Sequence, residues 1–207
     1  VFYIIYSKYP SMIIDHIKIK PYEICFKEKY SNSRFTLNSR QGWILELGSE
    51  GIIGYGEVGK ELSKIAKSFG MSVLATRRLQ KKIESKKIVD FLVPISDMDM
   101  VIEQSDYLVV ACPLTPLTEN MINKQFFRLM KSTSVIINTS RGSIINENHL
   151  IEALDNKEIA GAALDVFALE PLDKNSRLFN FENVLLTPHI SGNFSNYQEI
   201  MIKQFND

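Results

Sequence analysis

From Gly51 onward the chain alternates short apolar runs of strand length with stretches whose apolar residues recur at a helical period. "GIIGYG" is followed by a segment in which Val58, Leu62, Ile65, Ala66 and Phe69 fall on one helical face, expected to be the buried one. The later apolar runs are "MSVLAT", "VDFLV", "DYLVVAC", "TSVIINT", "AGAALDV" and "VLLT", with helical stretches near Asp97 to Gln104, Lys124 to Lys131 and Glu147 to Leu154. Runs that do not alternate polar with apolar are strands buried on both faces. Their alternation with helices predicts an α/β fold, a doubly wound parallel sheet of the Rossmann type.

The flanks follow other patterns. Tyr3, Ile4, Tyr6, Met12, Ile13, Ile14 and Ile17 suggest one or two helices, and the polar stretch "KYSNSRFTLNSRQG" reads as loop, so Lys27 to Glu46 is expected to be irregular. "NYQEIMIKQFND" has the pattern of an amphipathic helix that the end of the chain cuts short. The expected division is a connecting helix and irregular segment over 1–46, a dinucleotide-binding unit over 47–192 and a truncated helix over 193–207.

Composition narrows the partners. The 24 basic and 24 acidic side chains cancel, so no overall field draws in nucleic acid or an anionic membrane. Arg77, Arg78, Lys81, Lys82, Lys86 and Lys87 form the densest charged cluster, and its lysines are expected on a solvated helix face. Cys25 and Cys112 lack metal-ligand spacing and fit a reducing compartment, hence a cytoplasmic protein. Lys8 and Pro10 break the first apolar residues well before the ~18 a membrane span needs. Neither a basic leader nor a small-residue cleavage site marks a signal peptide, and Val1 in place of methionine is expected of a chain that begins inside a longer polypeptide.

"GYGEVG" sets Gly54, Gly56 and Gly59 in the G-x-G-x-x-G spacing between a strand and a helix. The first glycine permits the tight turn, the second lets backbone approach a pyrophosphate, and the third lets helix and strand pack closely. At the tip of the next strand an NAD site carries an acid for the ribose 2′-OH, whereas an arginine accommodates the 2′-phosphate of NADP. This chain has Thr76, Arg77 and Arg78 there. A guanidinium can clasp the extra phosphate that a carboxylate would repel, so NADP is the expected cofactor and NAD the alternative.

Three further strand ends carry chemistry: "INTSRG" with Arg141, "LDVFALEP" with Asp165 and Glu170, and "LLTPH" with His189. In an open parallel sheet these ends surround one crevice. Together with "GYGEVG" and "CPLTPLTENMIN", and in this order, they resemble the nucleotide-binding domain of the D-isomer-specific 2-hydroxyacid dehydrogenases over about Leu47 to Gly192. The resemblance implies that Arg141, Glu170 and His189 match the catalytic trio. It also implies that Glu57, Val58, Arg77, Cys112, Pro113, Thr118, Thr139, Ser140 and Asp165 match cofactor-lining positions.

The implied chemistry is coherent. Reducing a 2-oxo acid needs an anchor for its carboxylate, a proton donor and a hydride. Arg141 would anchor and polarise the substrate, His189 would act as general acid and Glu170 would favour the charged imidazole. Cys112, next to Pro113 at a strand end, is expected to be a wall residue, and His16 and His149 to be surface residues. Glyoxylate and hydroxypyruvate are substrates implied by resemblance alone. So is a homodimer, with the apolar face of residues 3–17 as its surface. The pattern departs from the family before the glycine motif, where "ELGSEG" stands and where a separate substrate domain is expected but missing. The competing expectation is therefore a non-catalytic dinucleotide-binding module.

Overall fold

The structure, a computed structural model, describes residues 18–31, 36–46 and 48–192. Eight strands form one sheet: β3 (Ser49–Ile53), β4 (Ser72–Arg77), β5 (Glu84–Lys86), β6 (Val89–Pro94), β7 (Tyr107–Val110), β8 (Val135–Asn138), β9 (Gly161–Leu164) and β10 (Val184–Leu186). Their order is β10-β9-β8-β7-β3-β4-β6-β5, and every pair is parallel except β5 with β6. The doubly wound expectation is met, with the reversal of strand order falling between β3 and β7.

The central strands are apolar because they are covered on two sides. One face carries Ile53, Leu74, Val93, Leu108, Val110, Ile136, Ala162 and Leu164. It packs under α2 (Met98–Gln104), α3 (Lys124–Leu129) and α4 (Glu147–Asp155), through Val101, Ile102, Phe126, Phe127, Leu150 and Leu154. Asn123 starts α3 by accepting from the amides of Gln125 and Phe126, and Asn146 starts α4 by accepting from that of His149.

The other face is covered by α1 (Glu57–Ser68), over Ile52, Val73, Ala75 and Leu92. Of the expected apolar face, Ala66 is buried and Leu62 packs on the core, while the rest is not. Gly59, Ser63 and Ala66 are buried, whereas Val58, Ile65 and Phe69 are each more than half exposed. Small residues win this contact because they let the helix axis approach the sheet: a Cβ at Gly59 would stand 2.4 Å from the Gly54 carbonyl oxygen. The hydroxyl this buries is satisfied, since Ser63 Oγ donates to the Gly59 carbonyl at 2.7 Å. Asp90 fixes the far end of α1 by accepting from Lys67 Nζ at 2.9 Å and from the Val73 amide at 2.7 Å.

Two further expectations are corrected. The lysine cluster is exposed but not helical, because Lys86 lies in β5 and Lys81 and Lys82 precede that strand. Within the stretch expected to be irregular, residues 27–31 and 36–46 are strand: β1 (Lys18–Ser31) and β2 (Thr36–Glu46) form an antiparallel pair, with a register shift between Cys25 and Tyr30. Tyr22, Ile24 and Phe26 recur at the strand period of two, a signal that the polar residues around them masked. The helices expected over 3–17 and 193–207 lie outside the described residues.

Glu50 stands out at the foot of β3. It is 7 % exposed and its side chain makes no hydrogen bond among the described residues, whereas Asp106 nearby accepts from the Ser49 amide and from Lys131. Burial pushes the Glu50 carboxyl up to about 7. An unfolded glutamate titrates near ~4.3, so between these values the folded protein holds the extra proton and stability falls as pH rises. Glu50→Gln is therefore expected to match the parent in thermal melts near the lower value and to melt higher above the upper one. A difference that did not change with pH would contradict this.

Candidate active site

The loop after β3 is shaped by contact with its neighbours. Gly54 has φ +109, and a Cβ there would lie 2.8 Å from the backbone of Ala111 and Cys112 at the end of β7. Only a residue without a side chain fits so close an approach in that conformation. Thr76, at the end of β4, holds the loop from the opposite side. Its Oγ1 accepts from the Gly54 amide at 3.2 Å and its carbonyl accepts from the Tyr55 amide at 2.8 Å. Beyond it α1 begins with no side-chain cap, so the first amides of a helix face outward from the loop.

A cleft of about 480 Å³ opens beside this helix start, lined by Val58, Ala111, Cys112, Pro113, Leu114, Thr139, Ser140 and Arg141. It therefore gathers six of the residues expected at a site. Asn138 shapes its floor: Oδ1 accepts from the Ser140 amide and hydroxyl, both at 3.1 Å, and Nδ2 donates to the Arg141 carbonyl at 3.0 Å. The Cys112 thiol is half-buried and pushed up by that burial, as suits a wall and not a nucleophile. Thr118 turns inward, its Oγ1 donating to the Pro113 carbonyl at 2.8 Å and accepting from the Thr115 amide, so it closes the loop and does not face the cleft.

A second cavity of about 390 Å³ is lined by Phe167, Pro171, Leu172, Phe179, Leu186 and Pro188, with Glu170, Thr187 and His189. Within it His189 Nδ1 lies 2.7 Å from Glu170 Oε2. Hydrogen bonds from His189 and from the Phe167 amide hold Glu170 below the usual carboxylate range, and the charges of His189 and Arg141 add to this. An ionised carboxylate can only accept, so Nδ1 is the donor and Nε2 is left to hold or release a proton. The expected trio is thus divided between two cavities, Arg141 in one and the pair in the other, coupled through the field of Arg141 on Glu170.

Asp165 directly follows β9. It is 3 % exposed and lines neither cavity. One oxygen accepts from Thr187 Oγ1 at 2.5 Å and from the Ile190 amide at 2.9 Å, and the other accepts from the Ser191 amide at 2.9 Å. It clamps the loop that presents His189, whose φ of +54 lies in the left-handed region. Arg77 and Arg78 are exposed at the tip of β4, and their guanidinium groups make no hydrogen bond or close ion pair among the described residues. Glu57 is exposed and paired with Lys60. His149 is half-buried, not a surface residue, and its Nδ1 is buried without a partner among the described residues. Thr76 and Asn138 had no assigned role in the sequence, and only their distance in the fold from the groups they hold reveals one.

Comparison with known proteins gives a consistent picture. A family model described as "D-isomer specific 2-hydroxyacid dehydrogenase, NAD binding domain" matches residues 24–191. A glyoxylate reductase of Pyrococcus horikoshii is 41% identical over 140 residues, which cover 68% of this chain and 41% of the relative. The glyoxylate reductase/hydroxypyruvate reductase of Homo sapiens is 40% identical over 150 residues, covering 72% of this chain and 45% of that one. Among solved structures, an NADPH-dependent glyoxylate/hydroxypyruvate reductase from Sinorhizobium meliloti in complex with NADP and sulfate superposes with a TM-score of 0.69 at 28% identity, over 77% of this chain and 50% of that one. The chain spans about half the length of the curated relatives it matches or less. Among the described residues no helix is long and apolar enough to cross a membrane.

The Asp165 clamp is testable. Burial alone would raise this carboxyl, but the hydrogen bonds from Ser191, Thr187 and Ile190 outweigh it and hold the group far below the usual range. Its stabilisation is thus present above the unfolded value of ~3.9 and is lost only as pH falls through the folded one. Asp165→Asn is expected to cost about 2 kcal/mol in denaturant unfolding at neutral pH, because a buried charged acceptor loses its donors. The deficit should shrink in strong acid, and an equal deficit there would refute the clamp.

Proposed function

Because the chain belongs to the D-isomer specific 2-hydroxyacid dehydrogenase family, we propose that it is the cofactor-binding half of an oxidoreductase. The reaction moves a hydride between NADP(H) and a small 2-oxo acid or D-2-hydroxy acid. The observation that carries this reading is the Glu170–His189 pair at the carboxyl end of the sheet, within the field of Arg141. The names of the relatives favour glyoxylate or hydroxypyruvate as the acid.

The residues present fit a dinucleotide. A Cβ at Gly56 would meet nothing within 4 Å, so the space over the loop and the uncapped start of α1 is open to a pyrophosphate. Gly54, Gly56, Glu57 and Val58 would hold that group. Cys112, Pro113, Thr139 and Ser140 would wall the nicotinamide side, with Thr118 and Asp165 shaping the loops and not touching it. The guanidinium groups of Arg77 and Arg78, exposed and without a partner among the described residues, suit a 2′-phosphate. When bound, the cofactor supplies or accepts the hydride. The chain does the rest: Arg141 anchors the substrate carboxylate, Glu170 holds the imidazole by Nδ1, and His189 delivers a proton from Nε2 to the carbonyl oxygen or takes it back in the reverse direction.

In this reading residues 47–192 are the dinucleotide-binding unit, and 1–46 and 193–207 flank it. A cytoplasmic homodimer acting on a small molecule completes the proposal, and light scattering tests the assembly. The second reading is a module that binds the cofactor without turnover.

Fluorescence titration with NADPH and NADH separates these readings. The parent is expected to bind NADPH at least tenfold more tightly, and Arg77→Asp to reverse the preference. An unchanged preference would remove Arg77 from the site, and binding of neither nucleotide would overturn the cofactor. Tight NADPH binding with no glyoxylate-dependent oxidation would select the non-catalytic module.

A further inference from the structure

Arg141 and the Glu170–His189 pair stand on different loops, Arg141 after β8, Glu170 after β9 and His189 after β10. The first of these loops is stiff. Asn138 is 1 % exposed, and its side chain holds both the Ser140 amide and the Arg141 carbonyl, while Arg141 Nη1 donates to the Ser140 carbonyl at 2.7 Å. Gly142 then opens a 3-10 turn through Ile144, and the segment after β7 pins that turn from outside. The Ile122 amide donates to the Ile144 carbonyl at 3.0 Å, and the Asn146 amide donates to the Ile122 carbonyl at 2.9 Å. The guanidinium of Arg141 is therefore placed by the loop as a unit.

Gly142 is also where this loop meets the next. It is buried, and a Cβ on it would stand 1.9 Å from the carbonyl carbon of Phe167, 2.0 Å from its oxygen and 2.5 Å from the Ala168 amide nitrogen. Only a residue without a side chain allows so close an approach. Phe167 is in turn the residue whose amide donates to Glu170 Oε1 at 3.1 Å. A second tie runs alongside: the Asp165 amide donates to the Asn138 carbonyl at 3.0 Å, and the Asp165 carboxylate clamps the loop of His189.

We propose that Gly142 is a positioning residue for the reaction, its bare Cα seated on the Phe167–Ala168 peptide so as to set the separation between Arg141 and the Glu170–His189 pair. This rests on the roles given to those three residues above. Gly142 acts through Phe167, and the direction of the effect follows from what is free to move. The turn at Gly142 is pinned on its far side, whereas Ala168, Leu169 and Glu170 are exposed. A methyl group at Gly142 would push the Phe167 peptide outward, draw its amide off the carboxylate and widen the gap to Arg141. Anchor and proton donor must meet one small acid together, and a displacement of about 1 Å can cost roughly a hundredfold in rate.

Gly142→Ala in the full chain tests this. Followed by carbon NMR, the Glu170 carboxyl is expected to titrate at a higher pH in the variant than in the parent, because the Phe167 amide no longer stabilises its charge. NADPH binding should be retained, while NADPH-dependent reduction of glyoxylate falls about a hundredfold. Should the parent bind NADPH without turnover, the carboxyl titration still decides, so failure of the catalytic reading and failure of this inference are told apart. An unchanged Glu170 titration in the folded variant would overturn the proposal. Should the variant not fold, the parent supplies the answer: the Phe167 and Gly142 amides are expected to shift with the midpoint of Glu170, and the amide of Val109 in β7 not to. A Gly142 amide indifferent to that midpoint would overturn the proposal equally.

Discussion

Parallel pairing is the constraint on which the rest depends. Two parallel strands cannot be joined by a tight turn, so each must be followed by a crossover that returns the chain to the same end of the sheet. All carboxyl ends therefore meet along one edge. The glycine loop after β3, the arginines after β4, the Cys112 wall after β7, Arg141 after β8 and His189 after β10 come from points spread over more than a hundred residues. The ladder brings them to one rim, although of these groups only Arg77 lies within it.

Carboxylates at the junctions of the sheet show how the scaffold treats charge. Asp165, Asp106 and Asp90 are each met by amides or by a lysine, and each fixes a junction: the loop of His189, the foot of β3 and the far end of α1. Such groups specify geometry because their donors are few and directional. Glu50 is buried like Asp165 and has no such donors among the described residues. The contrast separates a charge used as a fastener from one that burial pushes toward its neutral form.

Much of this was legible in the sequence for a simple reason. Strands buried on both faces read as apolar runs, and glycine spacing reports backbone geometry directly, so β3, β4, β6 to β10 and the glycine loop could be placed from local pattern alone. What failed did so where local pattern competes with packing. The apolar stripe Val58, Ile65 and Phe69 looked like the buried face of α1, yet close helix–sheet approach favoured Gly59, Ser63 and Ala66. The β1–β2 pair was hidden by its polar residues, and β5 by its lysines. Asp165 reads as a site residue from its position after a strand. Its work as a clamp depends on residues more than twenty positions away, which no short window contains.

The two margins of the sheet carry a further consequence. One ends on β5, three residues long, antiparallel to its neighbour and set among Lys81, Lys82, Lys86 and Lys87; the other ends on β10, also three residues long. A lengthy flat margin would offer a row of free amides and carbonyls to any other extended chain. Here one margin is charged and reversed in direction, and both are too short to template more than a few bonds. An eight-stranded sheet with apolar interior strands is thus terminated on both sides against growing into the next molecule.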